Sequence, residues 1–263
     1  MIPLRVWLRK SRLERALGEY PRYDPPHKAE ERLLSRNVAA ENFDYFMRVR
    51  LDRLKYFRNW LNQQFGYKVS LDEKGIHTLN RWGNDYAGLL LTKGADGYPT
   101  SSYFTYDPSW TGENVGHNAL FDLGIAFGEA ILANCPKLRW ELDPISAILP
   151  NTAKLLKKTP GMSFQRPLIS GFENPAYEVA PLHKVHEFAF DMMVNGTSAE
   201  GIRRFREFHR FNQRLVCDAL INLYRQTLKN YPEGDPVGLR REAGSEEYLK
   251  LIDDEAKEGN PDE

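Results

Sequence analysis

Apolar residues recur at helical spacing along most of this chain. Phe43, Phe46, Met47, Leu54, Phe57, Leu61 and Phe65 predict a helix within residues 30–65, and Gly66 marks its end. A second helix, opened by Ser70 or Asp72, would bury Ile76, Leu79, Trp82, Tyr86, Leu89 and Leu90. Upstream, Asp24 before Pro25 and Pro26 reads as an earlier helix start. Segment 113–134 differs in kind. Leu120, Phe121, Leu123, Ile125, Phe127, Ile131 and Leu132 leave little of its circumference polar, the pattern of a central helix. Gly124 and Gly128 stand four apart on one face, where a second backbone can approach closely. After Pro136, Leu138, Trp140 and Leu142 alternate with Arg139, Glu141 and Asp143, as in a half-buried strand.

Further along, 164–169 reads as a second strand and 103–106 as a third. Pro181 can open a helix running to Val194, and a long final helix is expected over 198–230. Together these predict an α+β fold, a helix-dominated single domain with a small sheet. The main domain would span 25–231, after a basic helix or arm at 1–24 and before an acidic, flexible tail at 232–263. Trp82, Phe121, Phe127, Trp140 and Phe205 are its expected core.

Charge alters this picture only at the two ends. The 263 residues hold 36 basic and 36 acidic side chains, so no overall field draws the chain to nucleic acid or to an anionic membrane. The start is nonetheless basic, with Arg5, Arg9, Lys10, Arg12 and Arg15. Leu4, Trp7 and Leu8 give it an amphipathic face. Two readings stay open: a first helix docked on the body, which is favoured, or a membrane-surface anchor or organelle presequence. The last 31 residues carry eleven acids against four bases. No segment is apolar enough to span a membrane. Two distant cysteines, Cys135 and Cys217, fit a reducing compartment, so a cytoplasmic location is expected.

Several constellations could carry chemistry. His183 and His186 lie three apart on one helix face and could share a metal ion with His117; no other cofactor is expected. Glu187 and Asp191 lie close by. The spacing is not the four-residue metalloprotease pattern, and half-buried histidines with ordinary partners are the favoured alternative. Asp122 and Glu129 are the acids of the apolar helix, seven apart on one face. They are read as internal anchors paired to Arg139, Arg166 or an arginine of the last helix, ahead of a buried acid for proton transfer. Tyr98, Tyr103, Tyr106 and Trp110 fill a long loop and could anchor a partner, although a lid packed on the core is favoured. Arg203, Arg206, Arg210 and Arg214 form a stripe that could meet phosphates or simply be solvated. Cys217 is expected inside the last helix as inert core, and Cys135 at a helix C-terminus. Glycine-rich phosphate loops, Gly-x-Ser-x-Gly and paired Cys-x-x-Cys motifs are missing from the sequence.

The run Trp110-Thr-Gly-Glu-Asn114, Phe121-Asp-Leu-Gly124, Gly128-Glu129 and Pro136-Lys-Leu-Arg-Trp140 resembles the middle of several uncharacterised bacterial α+β families. In these, a helix ending in Gly-Glu leads into a tryptophan-bearing strand, and some are associated with toxin-immunity neighbourhoods. The resemblance covers residues 110–143 and implies no catalytic residues. The preferred expectation is a non-enzymatic protein-interaction protein, immunity-like or a scaffold, whose partner is another protein. Two alternatives stand beside it. One is a metal-dependent hydrolase using His183 and His186, and the other a nucleic-acid-associated factor using the arginine stripe.

Overall fold

A computed structural model describes residues 4–94, 99, 106, 110–142, 164–174, 177–196 and 217–234. Among these the chain forms α1 (Leu4–Leu17), α2 (Arg36–Phe65), α3 (Glu73–Tyr86), α4 (Gly116–Asn134), β1 (Arg139–Leu142), β2 (Pro167–Ser170), α5 (Pro181–Asp191) and α6 (Ala219–Asn230). The fold is α+β and dominated by helices, with a small two-stranded antiparallel sheet. Local chemistry sets several of the boundaries. The Asp72 carboxylate accepts the Gly75 N–H at 2.8 Å and caps α3. Gly66 ends α2 with φ of +75°, a left-handed conformation that costs glycine nothing, and its N–H reaches the Asn62 and Leu61 carbonyls.

The apolar helix takes the central place its sequence predicts. Nearly every residue of α4 from Gly116 to Ile131 is buried, and α2, α3, α5 and α6 all pack on it. Its glycines set the approach of α5. A Cβ on Gly124 would lie 3.0 Å from the Cα of Leu182, and one on Gly128 would lie 2.2 Å from Cζ2 of Trp140. Trp140 stands on β1 opposite Ile169 of β2 and meets Phe46 of α2 edge-on, with ring centroids 5.1 Å apart. The sheet thus closes one side of the α4 core. Trp82, Phe121 and Phe127 join Trp140 in that core, while Phe205 lies outside the described residues.

The N-terminal segment belongs to the same core. Leu13, Leu17, Tyr20 and Tyr23 are buried in it, so α1 docks on the body by its Val6, Leu13 and Leu17 side. The Trp60 indole of α2 donates to the Ala16 carbonyl at 2.9 Å. Most firmly of all, the chain after α1 is held by a buried charge. Asp122 of α4 accepts from Arg53 Nε at 2.6 Å, from Arg53 Nη2 at 3.0 Å and from the Tyr20 hydroxyl at 2.8 Å. The anchor reading of Asp122 therefore holds, but its cation is Arg53 of α2. Glu129 likewise pairs with Arg50 at 3.1 Å and accepts the Trp140 indole N–H at 2.8 Å. Arg139 bonds Glu141 instead, and Arg166 pairs with Glu31.

Other expectations are corrected. No helix starts at Pro25 or Pro26; residues 24–30 run without helix to a short 3₁₀ turn at Glu31–Leu33, and α2 begins at Arg36. Two prolines in succession suit an extended entry, because the residue before a proline is pushed away from helical backbone. The strand predicted at 164–169 is shorter and later, at Pro167–Ser170. Cys217 precedes α6 rather than lying within it, its backbone held by Asn84 and Asn80 of α3. Of the predicted helix 198–230, residues 219–230 are helical and 197–216 lie outside the described residues, as do 103–105 and the tail from 235.

Two stability outcomes follow from this packing. Arg53→Met leaves Asp122 buried without its cation and is expected to cost about 3–5 kcal/mol in urea denaturation. Adding Asp122→Leu and Tyr20→Phe, which remove the orphaned polar groups, should recover most of that loss. An Arg53→Met protein as stable as wild type would show that the pair does not hold α2 to α4. Gly128→Ala, which drives a methyl into Trp140, should cost about 1–3 kcal/mol and shift the tryptophan emission.

Candidate functional site

The place where the sequence brings aromatic loop and histidines together is a buried polar cluster beneath α4 and α5. His117 sits on the first turn of α4, just after the 3₁₀ turn Gly112–Asn114. Because α5 runs back along α4, His186 arrives opposite it. The two imidazoles lie nearly parallel, 14° apart, with centroids separated by 6.4 Å. Trp110 also stacks on His117, with centroids 5.5 Å apart. Among the described residues neither ring nitrogen of His117 has a hydrogen-bond partner, although the residue is 2% exposed. Burial accordingly pulls its pKa down to about 4. Burial also lowers His186, to about 3, with repulsion from His117, Arg166 and His183 added to it. Both rings are neutral at physiological pH.

His183 does not join this stack. It lies 3.0 Å from Glu187, one turn along its own helix, and Lys184 bonds the same carboxylate. Among the described residues no group of three or more His, Cys, Asp and Glu side chains is placed to hold a metal ion. Burial raises the pKa of both thiols, Cys135 and Cys217, which keeps them protonated at neutral pH.

Around the stack runs a second set of buried groups, of which the sequence singled out Tyr106 and Arg166 but not Glu31, Asn42 or Gln165. Glu31, in the 3₁₀ turn, pairs with Arg166 at 2.8 Å and accepts the Tyr106 hydroxyl at 3.2 Å. Burial raises the Glu31 carboxyl above its ordinary value, against the opposing pull of Arg166. Asn42 of α2 ties the segment down, its side chain accepting from the His27 N–H and donating to the His27 carbonyl, both at 3.0 Å. Gln165 donates to the carbonyls of Glu31 and Leu34 from a backbone with φ of +58°, where a side chain is strained. That conformation turns consecutive side chains, Gln165 and Arg166, onto the same turn of chain.

Tyr106 and Trp110 are buried, 4.9 Å apart between centroids, and pack on Tyr23 and Phe121. They therefore sit in the core, as a packed lid would place them. Tyr98 and Tyr103 of the same loop lie outside the described residues, as do Arg203, Arg206, Arg210 and Arg214.

The surface carries a different feature. Along the outer side of α2 and the turn after it lies a groove of about 480 Å³. Its apolar floor includes Leu54 and Val69, Leu51 stands at its edge, its rim holds Lys55, Arg58 and Lys68, and no acid among the described residues lines it. Arg58 is fixed there by donating to the Val69 carbonyl at 2.8 Å. Helical spacing could have found this face, since Leu51, Lys55, Arg58 and Asn62 share one side of α2.

The depressed histidine gives a signed pH dependence. His117 is neutral in the fold and protonates near pH 6.5 when unfolded, so it withdraws stability as pH falls below about 6.5. Asp122, raised by burial to about 6, acts in the opposite sense between about pH 6 and 4. Comparing wild type with His117→Phe cancels the Asp122 effect. Between pH 7 and 5 the wild type should lose about 2 kcal/mol more than the variant in chemical denaturation. Equal losses would place His117 in water.

Comparison with family models, with curated proteins and with solved structures finds no match for this chain.

Proposed function

We propose that this chain is a non-catalytic protein-interaction module that binds an acidic segment of another protein along α2. The observation that carries the reading is the groove itself. Three cations and, among the described residues, no acid surround an apolar floor, and Leu51 stands 53% exposed at its edge. Such a surface suits an acidic peptide with an apolar anchor: the anchor gains from burial, while the rim steers and registers the charge. The buried polar groups support the same reading. Glu31, Arg166, Asp122 and Arg53 are all bound to one another or to backbone-fixing partners, which serves the scaffold. Cys135 and Cys217 are both free, which supports a reducing compartment such as the cytoplasm. No helix among the described residues is long and apolar enough to cross a membrane. An immunity-like or scaffold role is a setting in which such a module would work.

The test is direct binding of a fluorescent acidic peptide that carries leucines among glutamates, against a basic peptide of the same apolar pattern. The acidic peptide should bind, and Lys55→Glu with Arg58→Glu should weaken it at least about tenfold, or about 1.4 kcal/mol. Equal affinity for both peptides, or no effect of the double reversal, would overturn the assignment.

A further inference from the structure

α1 is apolar on two sides, and the fold uses one of them. Val6, Leu13 and Leu17 face the core. Leu4, Trp7 and Leu8 point away from it and are 70%, 56% and 52% exposed. On a helix these three fall within about 100° of one another, so they form one stripe over the first two turns. Trp7 is also the exception among the five tryptophans: Trp60, Trp82, Trp110 and Trp140 are all buried. An exposed tryptophan between two exposed leucines is a costly surface to leave in water.

Charge decides what covers it. Residues 4–17 hold five basic side chains and one acid, Glu14, in a chain whose total is zero. Arg9 is used internally, paired to Asp85 at 2.7 Å, and Arg12 donates to the Gln64 carbonyl. Arg5, Lys10 and Arg15 remain exposed around the stripe. A second copy packed on this face would bring two basic helices together and repel. An acidic surface with an apolar interior does the reverse. Leucines enter the acyl region, the indole settles at the headgroup level, and the arginines and lysine meet anionic headgroups.

We infer that the outer face of α1, through Leu4, Trp7 and Leu8 with a rim of Arg5, Lys10 and Arg15, docks this protein reversibly on an anionic lipid surface. The helix lies in the plane of the interface, and its inner face keeps its contacts with the core. This docking is independent of the α2 groove, so either can fail alone.

The experiment uses the full chain with phosphatidylcholine vesicles prepared with and without phosphatidylserine. Because the other four tryptophans are buried, the emission change on binding reports Trp7. The expected result is co-sedimentation and a blue shift with the anionic vesicles only, lost when salt rises from about 0.05 to 0.5 M. Brominated acyl chains should quench the same emission, and Trp7→Phe should remove the quenching. Leu4→Ser with Leu8→Ser should weaken binding at least tenfold with an unchanged unfolding midpoint, because both side chains are at the surface. Equal binding to neutral vesicles, no binding at low salt, or full binding by the Leu4→Ser/Leu8→Ser protein would overturn the inference. So would a blue shift that follows protein concentration without lipid, which would make the face a contact between copies.

Discussion

A carboxylate in the middle of an otherwise apolar helix is the constraint around which this fold is arranged. Asp122 is fully buried, and a lone charge there would be prohibitive. Its solution is a bidentate bond to Arg53 and a third bond from Tyr20. Those two partners lie 69 and 102 residues away in sequence, so one side chain fixes α4 against both α2 and the N-terminal segment. Arg53 also reaches the Pro21 carbonyl and lies over the Tyr23 ring. The chain between α1 and α2 therefore has little freedom to move, although it contains no helix or strand before the turn at Glu31. A purely apolar contact of the same area would hold α4 in place without specifying its rotation. The three directed bonds select one rotation.

That rotation determines what the histidines can be. With Asp122 turned to α2, the glycine face of α4 is presented to α5, and Gly124 and Gly128 admit Leu182 and Trp140 at distances a Cβ would forbid. Close approach at that end brings His186 across from His117 at the other. The two clusters meet through aromatic rings, because Tyr23 contacts Trp110, Tyr106 and Phe121. Trp110 is in turn held by Asn118, which donates to its carbonyl at 2.7 Å and accepts the Tyr23 N–H at 2.7 Å. The Glu31–Arg166 pair extends this arrangement to β2, because Arg166 precedes the strand directly. The interior is thus a continuous polar and aromatic seam, in which Asp122 with Arg53 and Glu31 with Arg166 pair across elements.

Much of this was legible in the sequence, for identifiable reasons. The apolar run within 113–134 read as a central helix, and the alternation at 138–142 as a strand with Trp140 inward. Asp122 announced itself as an anchor because a carboxylate on so apolar a helix has to be paired. Its partner was not legible. Periodicity reports which face a residue occupies, and many arginines occupy suitable faces; only tertiary packing picks Arg53 over Arg139 or Arg166. Pro25 and Pro26 misled because proline suits both a helix start and an extended approach, and here the tie of Asn42 to His27 and the bonds to Glu31 favour the second. The Glu31–Arg166 pair was invisible for another reason. It depends on the left-handed backbone at Gln165, and glutamine carries no signal for that conformation.

The same alignment leaves a leucine exposed on the outer side of α2. Thirty residues of helix extend about 45 Å, longer than the contact α4 can supply. Phe46, Arg53, Phe57 and Trp60 turn inward and satisfy the core, and the directed bonds of Arg53 leave no freedom to rotate that face outward. Leu51, Lys55 and Arg58 are consequently presented on the opposite side whatever their own preference for water. An exposed leucine on a loosely held helix could be hidden by a small rotation; on a helix fixed by a buried ion pair it cannot. The interior charge of Asp122 thereby keeps the outer face of α2 in water, and loss of that interior bond would be felt at a surface the residue never touches.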